Sequence, residues 1–180
     1  MKKIATLGPE GSDSFQAVKH YSEDLEIMMF NQISEIMESF STCQSDFALI
    51  PVYNTREGEV KEYFRMMEKL NNGYWVDNVV LPIHLSLGGN SPDLSFQDIS
   101  VIIARSGVFK QCEEYIATHM PYATLVSVYD IESSIKDLVA GGKRDTVVID
   151  TEHIINRLGL SLLDREIAHH NRTRFAVIGR

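Results

Sequence analysis

Cysteine is scarce in this chain, with Cys43 and Cys112 the only two among 180 residues. They form no Cys-x-x-Cys pair and no Cys/His ligand spacing, which excludes a disulfide framework and a structural zinc site. No metal and no cofactor are expected. Basic residues are also in deficit: 17 Lys and Arg stand against 25 Asp and Glu, for a formal net charge of −8. Without a Lys/Arg block to neutralise phosphates, general nucleic-acid binding is excluded, and any anionic ligand needs a local cluster of donors. No apolar run approaches the length of a membrane span. At the amino end, Lys2 and Lys3 precede only residues 4–7 before Gly8-Pro9, too short for the core of an export signal. The expected setting is therefore the cytoplasm, away from membranes. Internal repeats and low-complexity tracts are absent too.

What is present is a hydrophobic content of 44%, enough to bury one core or two smaller ones. Short apolar runs suited to strands fall at residues 4–7, 26–30, 47–51, 79–85, 101–104, 124–128, 146–149 and 175–178. Helical spacing lies between them, at Ile33, Ile36, Met37 and Phe40, at Val60, Phe64, Met67 and Leu70, at Val108, Cys112, Tyr115 and Ile116, and at Ile131, Ile135 and Leu138. This alternation predicts an α/β fold with a mostly parallel sheet. Asn71-Asn72-Gly73 and Gly88-Gly89-Asn90-Ser91-Pro92 punctuate the chain on either side of a long strand, and they divide it into two lobes with a hinge near residues 74–86.

Three segments carry candidate chemistry. Gly8-Pro9-Glu10-Gly11-Ser12 joins a strand to a helix, where free backbone N–H groups and the helix dipole suit a carboxylate. The plainer reading is a tight turn with Ser12 or Asp13 as N-cap. Asn54-Thr55 follows the strand at 47–51, where open α/β sheets present ligand-facing groups. Asn54 can both donate and accept there. Its plainer reading is an Asx turn or a cap for the next helix. In Asn171-Arg172-Thr173-Arg174-Phe175, a hydroxyl sits between two guanidinium residues at the mouth of an apolar strand. That combination suits a proton donor working on an anionic substrate, or else an ordinary edge strand with exposed Arg and Thr.

Taken in this order, the three segments resemble the catalytic domain of the prephenate dehydratase family, and the Thr-Arg-Phe signature is intact. The resemblance runs from residue 4 to residue 179. It implies a two-lobed fold like that of type II periplasmic binding proteins, with the active-site cleft between the lobes. Residues 1–78 and 171–180 form the first lobe and residues 79–170 the second. The regulatory ACT domain of many relatives is not expected. The implied reaction is decarboxylating dehydration of prephenate, or a close dicarboxylate analogue, to phenylpyruvate, with Thr173 as general acid and Asn54 and Gln111 as positioners. Gly11, Ser12, Thr55, Arg105, Arg174 and Phe175 are the implied substrate contacts, with Arg174 a carboxylate anchor and Phe175 part of the cleft wall. A homodimer is implied as well.

Several positions depart from the family pattern. Tyr53 stands where the family has Glu, Ala104 and Arg105 where it has Ser and His, Ser106 and Gly107 where it has Pro and Gln, and Asp130-Ile131-Glu132 where it has Ser-Thr-Ala. These changes keep two alternatives open: a decarboxylase that leaves the ring non-aromatic, and a binding protein for aromatic acids without chemistry. His84 matches a Pro-Ile-x-His pattern of the family but reads as a structural strand residue. The adjacent His169 and His170 point to opposite sides of an extended chain, which argues against shared metal ligation.

Overall fold

The computed structural model describes residues 1–180 as two compact units, one formed by Met1–Ile83 with Arg172–Arg180 and the other by His84–Asn171. In chain order the first unit comprises β1 (Lys3–Leu7), α1 (Asp13–Tyr21), β2 (Glu26–Phe30), α2 (Ile33–Ser41), β3 (Phe47–Asn54), the short β4 (Gly58–Glu59), α3 (Lys61–Met67) and β5 (Tyr74–Pro82). The second unit follows with β6 (Ser86–Gly89), a 3₁₀ turn at Phe96–Asp98, β7 (Val101–Ala104), α4 (Ser106–Gln111), α5 (Glu113–His119), β8 (Thr124–Ser127), α6 (Ile131–Gly141), β9 (Thr146–Asp150), α7 (Glu152–Arg157) and β10 (Ser161–Asp164). β11 (Arg172–Gly179) returns the chain to the first unit. No helix is long and apolar enough to cross a membrane.

In the first unit the strand order is β2-β1-β3-β11-β5, with β4 paired to β3. β1 lies parallel to β2 and β3, whereas β11 runs antiparallel to both β3 and β5. Two cores cover the two faces. Ile4, Ala17, Val18, Leu49, Val79, Phe175 and Val177 pack on the α1 side. Ala5, Ile36, Met37, Phe40, Ile50, Val52, Tyr63, Ala176 and Ile178 pack on the α2 and α3 side. The period-2 alternation along β11 sends Phe175 and Val177 to one face and Ala176 and Ile178 to the other. Buried positions Ile33, Ile36, Met37 and Phe40 make the inner stripe of α2, whose start is held by a capping box in which Glu35 Oε2 accepts from the Gln32 N–H at 2.9 Å.

The second unit is a five-stranded sheet of order β10-β6-β9-β7-β8, in which β7 is parallel to β8 and β9 while β6 runs antiparallel to β9 and β10. Its core joins Ile131, Ile135 and Leu138 of α6 to Val148, Ile154, Ile155 and Leu160. A φ of +60° at Gly142 ends α6, a conformation that glycine adopts without a Cβ penalty.

The strand expected at 79–85 is divided. Residues up to Pro82 pair with β11 in the first unit, and a separate strand begins at Ser86, so the units meet in the chain at Ile83–His84 and not at residue 78. The sequence pattern merged two strands because the apolar run through Ile83 and Leu85 is continuous. In α3 the buried aromatic is Tyr63, while Phe64, expected on the inner stripe, is about half exposed. The run through Val108, Cys112 and Ile116 breaks into α4 and α5 at Cys112.

Candidate active site

The candidate residues of the first unit gather at one end of its sheet. β1 and β3 are parallel and finish there, and the antiparallel β11 begins there, so the 8–12 turn, Asn54-Thr55 and Arg172-Thr173 occupy neighbouring strand ends. Thr173 lies opposite Asn54 in the β3–β11 register, and both are buried. Asn54 Nδ2 donates to Thr173 Oγ1 at 2.8 Å. Asn54 Oδ1 in turn accepts from the N–H groups of Arg56 and Glu57, each at 2.9 Å. Two backbone donors therefore fix which way the amide faces, and its NH₂ group must address the hydroxyl. With its oxygen accepting, the Thr173 hydroxyl has its own hydrogen left to donate. Asn54 thus makes the Asx turn and at the same time holds the Thr173 hydroxyl.

Thr55 continues the same ladder. Its N–H donates to the Arg172 carbonyl at 3.0 Å, and its Oγ1 accepts from the Arg172 N–H at 2.9 Å. It holds the start of β11 two ways, one residue before Thr173. In the 8–12 turn, Gly11 has φ +85°, which a side chain would strain. Ser12 caps α1, accepting from the Phe15 N–H and donating to the Leu7 carbonyl, both at 3.2 Å. The expectation of Ser12 as a substrate contact is thereby corrected, because its hydroxyl hydrogen is committed inside the turn. The turn's own backbone is partly spent as well, with the Gly8 N–H donating to the Phe30 carbonyl at 2.8 Å and the Ser12 N–H to the Pro9 carbonyl at 3.0 Å.

Arg174 and Phe175 are corrected too. Side chains alternate along β11, so Arg174 lies on the face opposite Thr173, beside its register partners Tyr53 and Val80, which are both exposed. It is not placed to anchor a carboxylate held at Thr173. Tyr53, the position where the family has Glu, is thus a cross-strand neighbour of Arg174 and faces away from the Asn54–Thr173 pair. A β-bulge between Arg174 and Phe175 keeps Asn54 on the Thr173 side despite its parity in β3. Phe175 is 1% exposed and belongs to the core under α1. A ring so enclosed stabilises the unit and is not a wall of the site.

In the second unit, Gln111 ends α4 and is buried. Its Oε1 accepts from Asn171 Nδ2 at 2.8 Å, and Asn171 is itself 4% exposed. Asn171 is the last residue of this unit and stands two positions before Thr173 in the chain. In the sequence Asn171 only opens the terminal motif, and its partner is set by the fold.

Arg105 precedes α4 at the carboxyl end of β7. The β7–β9 register ends at Ile103 opposite Val148, and continued by two residues it brings Arg105 to the level of Asp150, whose charge acts on the guanidinium. β8 ends on the other flank of β7 with Ala104 opposite Ser127, and Asp130 follows as the N-cap of α6. Burial lowers the Arg105 guanidinium from its ordinary range, and the negative charges of Asp150 and Asp130 oppose that shift. Burial likewise pushes the Asp150 carboxyl up to about 6, against the N–H of Thr151, which donates to Asp150 Oδ1 at 2.7 Å, and against Arg105. No sequence motif marks Asp150, yet it closes a strand that runs parallel to β7, the place where such sheets present functional groups. His84 pairs with Glu166 at 2.7 Å, both well exposed, which keeps it structural.

Comparison with known proteins bears on the fold and the family. The ligand binding component of an ABC-type import system from Staphylococcus aureus, solved with zinc bound, has a TM-score of 0.59 at 13% identity, covering 97% of this chain and 65% of that one. The prephenate dehydratase of Arthrobacter aurescens, solved in complex with L-Phe, reaches a TM-score of 0.79 at 21% identity over 99% of this chain and 60% of that one. These likenesses show an α/β fold shared by such dehydratases and by type II periplasmic-binding-protein-like structures. A bifunctional chorismate mutase/prephenate dehydratase of Enterobacter agglomerans is 24% identical over 185 residues, which cover 99% of this chain and 47% of that protein. The chain spans about half the length of such relatives. Because the family model described as prephenate dehydratase matches residues 4–180, nearly the whole sequence, the chain belongs to the prephenate dehydratase family.

Proposed function

We propose that this protein is a lyase that converts prephenate, or a close dicarboxylate analogue, to phenylpyruvate with loss of carbon dioxide and water, with Thr173 as the acid. The observation that carries the reading is the pinned amide of Asn54, which makes Thr173 Oγ1 an acceptor and leaves its hydrogen to a ligand. In the reaction the ring carboxylate leaves as carbon dioxide, its bonding pair flows into the ring, and the C–O bond to the hydroxyl breaks. Aromatisation supplies most of the driving force. The departing oxygen takes the proton of the Thr173 hydroxyl and leaves as water, and a proton from solvent restores the hydroxyl, so one proton is consumed overall.

An alcohol is too weak an acid to be ionised at neutral pH. A hydrogen bond that shortens as the C–O bond breaks nevertheless stabilises charge that exists only in the transition state. The Asn54 amide strengthens that bond by polarising the hydroxyl from behind. In this reading the backbone N–H of Gly11 contributes to holding a substrate carboxylate. Thr55 keeps Arg172 and Thr173 in register at the substrate, and Gln111 and Arg105 are further candidate substrate contacts.

The test is to incubate the purified protein with prephenate and identify the product by absorbance and mass. Phenylpyruvate is the expected product. A dihydro-hydroxyphenylpyruvate indicates decarboxylation without aromatisation, and saturable binding of unchanged prephenate indicates a binding protein. Either result overturns the dehydratase reading.

A further inference from the structure

We propose that Asp150 is a positioning residue that holds Arg105 at the carboxyl end of β7 and cancels its charge, so that Arg105 meets the substrate as a hydrogen-bond donor to a neutral oxygen and not as a carboxylate anchor. The inference rests on the reading of Arg105 as a substrate contact. Three strand ends carry it. β7 lies parallel to β8 and to β9, and at their carboxyl ends stand Arg105 just after β7, Asp130 three residues after β8, and Asp150 as the last residue of β9. The register sets Asp150 beside Arg105, and Asp150 is also paired across to the buried Ser86 of β6. One guanidinium is thus flanked by two carboxylates. A substrate carboxylate arriving there meets a third negative charge against a single positive one, which disfavours it.

The two carboxylates are not equivalent. Asp130 Oδ1 accepts from the Ser133 N–H at 3.0 Å as the cap of α6, in an exposed setting. Asp150 has the desolvated carboxyl, raised towards neutrality by burial, so its charge is the one that changes within a workable pH range. The elements packed against β9 carry few other charges. α7 brings Glu152, paired with Arg165 at 2.8 Å, and the exposed His153, and α6 brings Glu132, bonded to Lys136 at 2.8 Å and to Arg157 at 3.1 Å. β6 has no ionisable side chain.

The sign of the effect follows. Above pH 6 Asp150 is ionised and Arg105 is neutralised. Below it the carboxyl takes up a proton, the guanidinium is uncovered, and a dianionic ligand binds more tightly. The experiment is KM for prephenate between pH 5.5 and 8, corrected for the enzyme-free reaction, in the wild type, Asp150→Asn, Arg105→Gln and His153→Gln. The wild-type KM is expected to fall about five- to tenfold on the acid side, the range expected from removing one adjacent charge. Asp150→Asn should show the low KM throughout, with the change in KM and not in kcat. Arg105→Gln should abolish the step, since Asp150 acts through Arg105, and His153→Gln should retain it.

A flat wild-type profile, or a step that persists in Asp150→Asn, overturns the proposal. Should Asp150→Asn fail to fold, a step that persists in Arg105→Gln does so equally. Calorimetric Kd values for prephenate over the same pH range separate the two readings. Absent turnover with a Kd step overturns only the dehydratase reading, whereas turnover without a step in either KM or Kd overturns only the role of Asp150.

Discussion

Asn54 Nδ2 lies 2.8 Å from Thr173 Oγ1 across 119 residues of chain, and the two N–H groups that hold Asn54 Oδ1 make this contact a donation from the amide to the hydroxyl. The direction of that one bond decides which way the threonine can act. Thr173→Ala is therefore expected to lower kcat by about 10²-fold or more with KM little changed. Thr173→Ser, which keeps the hydroxyl, is expected to stay within about tenfold of wild type. Steady-state phenylpyruvate formation measures both, and an alanine variant at wild-type rate removes Thr173 from the mechanism.

Asn54→Asp probes the same bond from its other end. A carboxylate still accepts from Arg56 and Glu57, so the turn survives, but it cannot donate to Thr173 and instead takes that hydroxyl's hydrogen. The expected loss in kcat is about 10- to 100-fold above pH 6, with an unchanged urea midpoint as the control for folding.

Phe175→Ala separates packing from chemistry. The ring fills the core beneath α1 with Ile4, Leu49, Val79 and Val177, so truncation is expected to cost about 3–5 kcal/mol of unfolding free energy in urea. The milder Phe175→Leu should leave KM for prephenate unchanged. A KM that rises severalfold in the folded leucine variant restores Phe175 to the site.

Gly88→Ala tests a close approach in the second unit. A Cβ built at Gly88 comes within 2.7 Å of Ile155 Cγ2, and Ile155 is fully buried and unable to yield. Destabilisation of about 1–3 kcal/mol is expected from overpacking, read as a lowered urea midpoint.

Asp150→Asn should stabilise the protein in a pH-dependent way. A buried carboxyl raised to about 6 binds its proton more tightly in the folded chain than in the unfolded one, where an ordinary Asp titrates near about 3.9. Wild-type stability contributed by this group is therefore greatest at low pH, falls as pH rises between those two values, and levels off above 6. The asparagine, which still accepts from Thr151, is expected to raise Tm most at pH 7–8 and hardly at all near pH 4. Equal shifts at both ends of the range contradict the assigned burial cost.

Much of the architecture was legible because it follows local periodicity. The strand at Glu26–Phe30 and the inner stripe of α2 coincide with their sequence patterns, since alternation and 3.6-residue spacing report one buried face. The division at Ile83 was not legible, because apolar character continues across it and only strand pairing shows where one sheet stops. At the site, the residue types were visible while their directions were not. Thr173, Arg174 and Phe175 read as one functional cluster, but a pleated strand distributes them between a polar pair, an exposed face and a core.

By itself the sequence determined the family, the α/β alternation and the chemical inventory at the strand ends, because these depend on residue type and order. Tertiary structure alone decided that Asn54 donates to Thr173, that Ser12 is spent on a helix cap, that Phe175 is core, and that Asp150 stands against Arg105. Each of these joins positions through strand register or burial, and hydrogen-bond direction and desolvation arise only once distant segments are packed side by side.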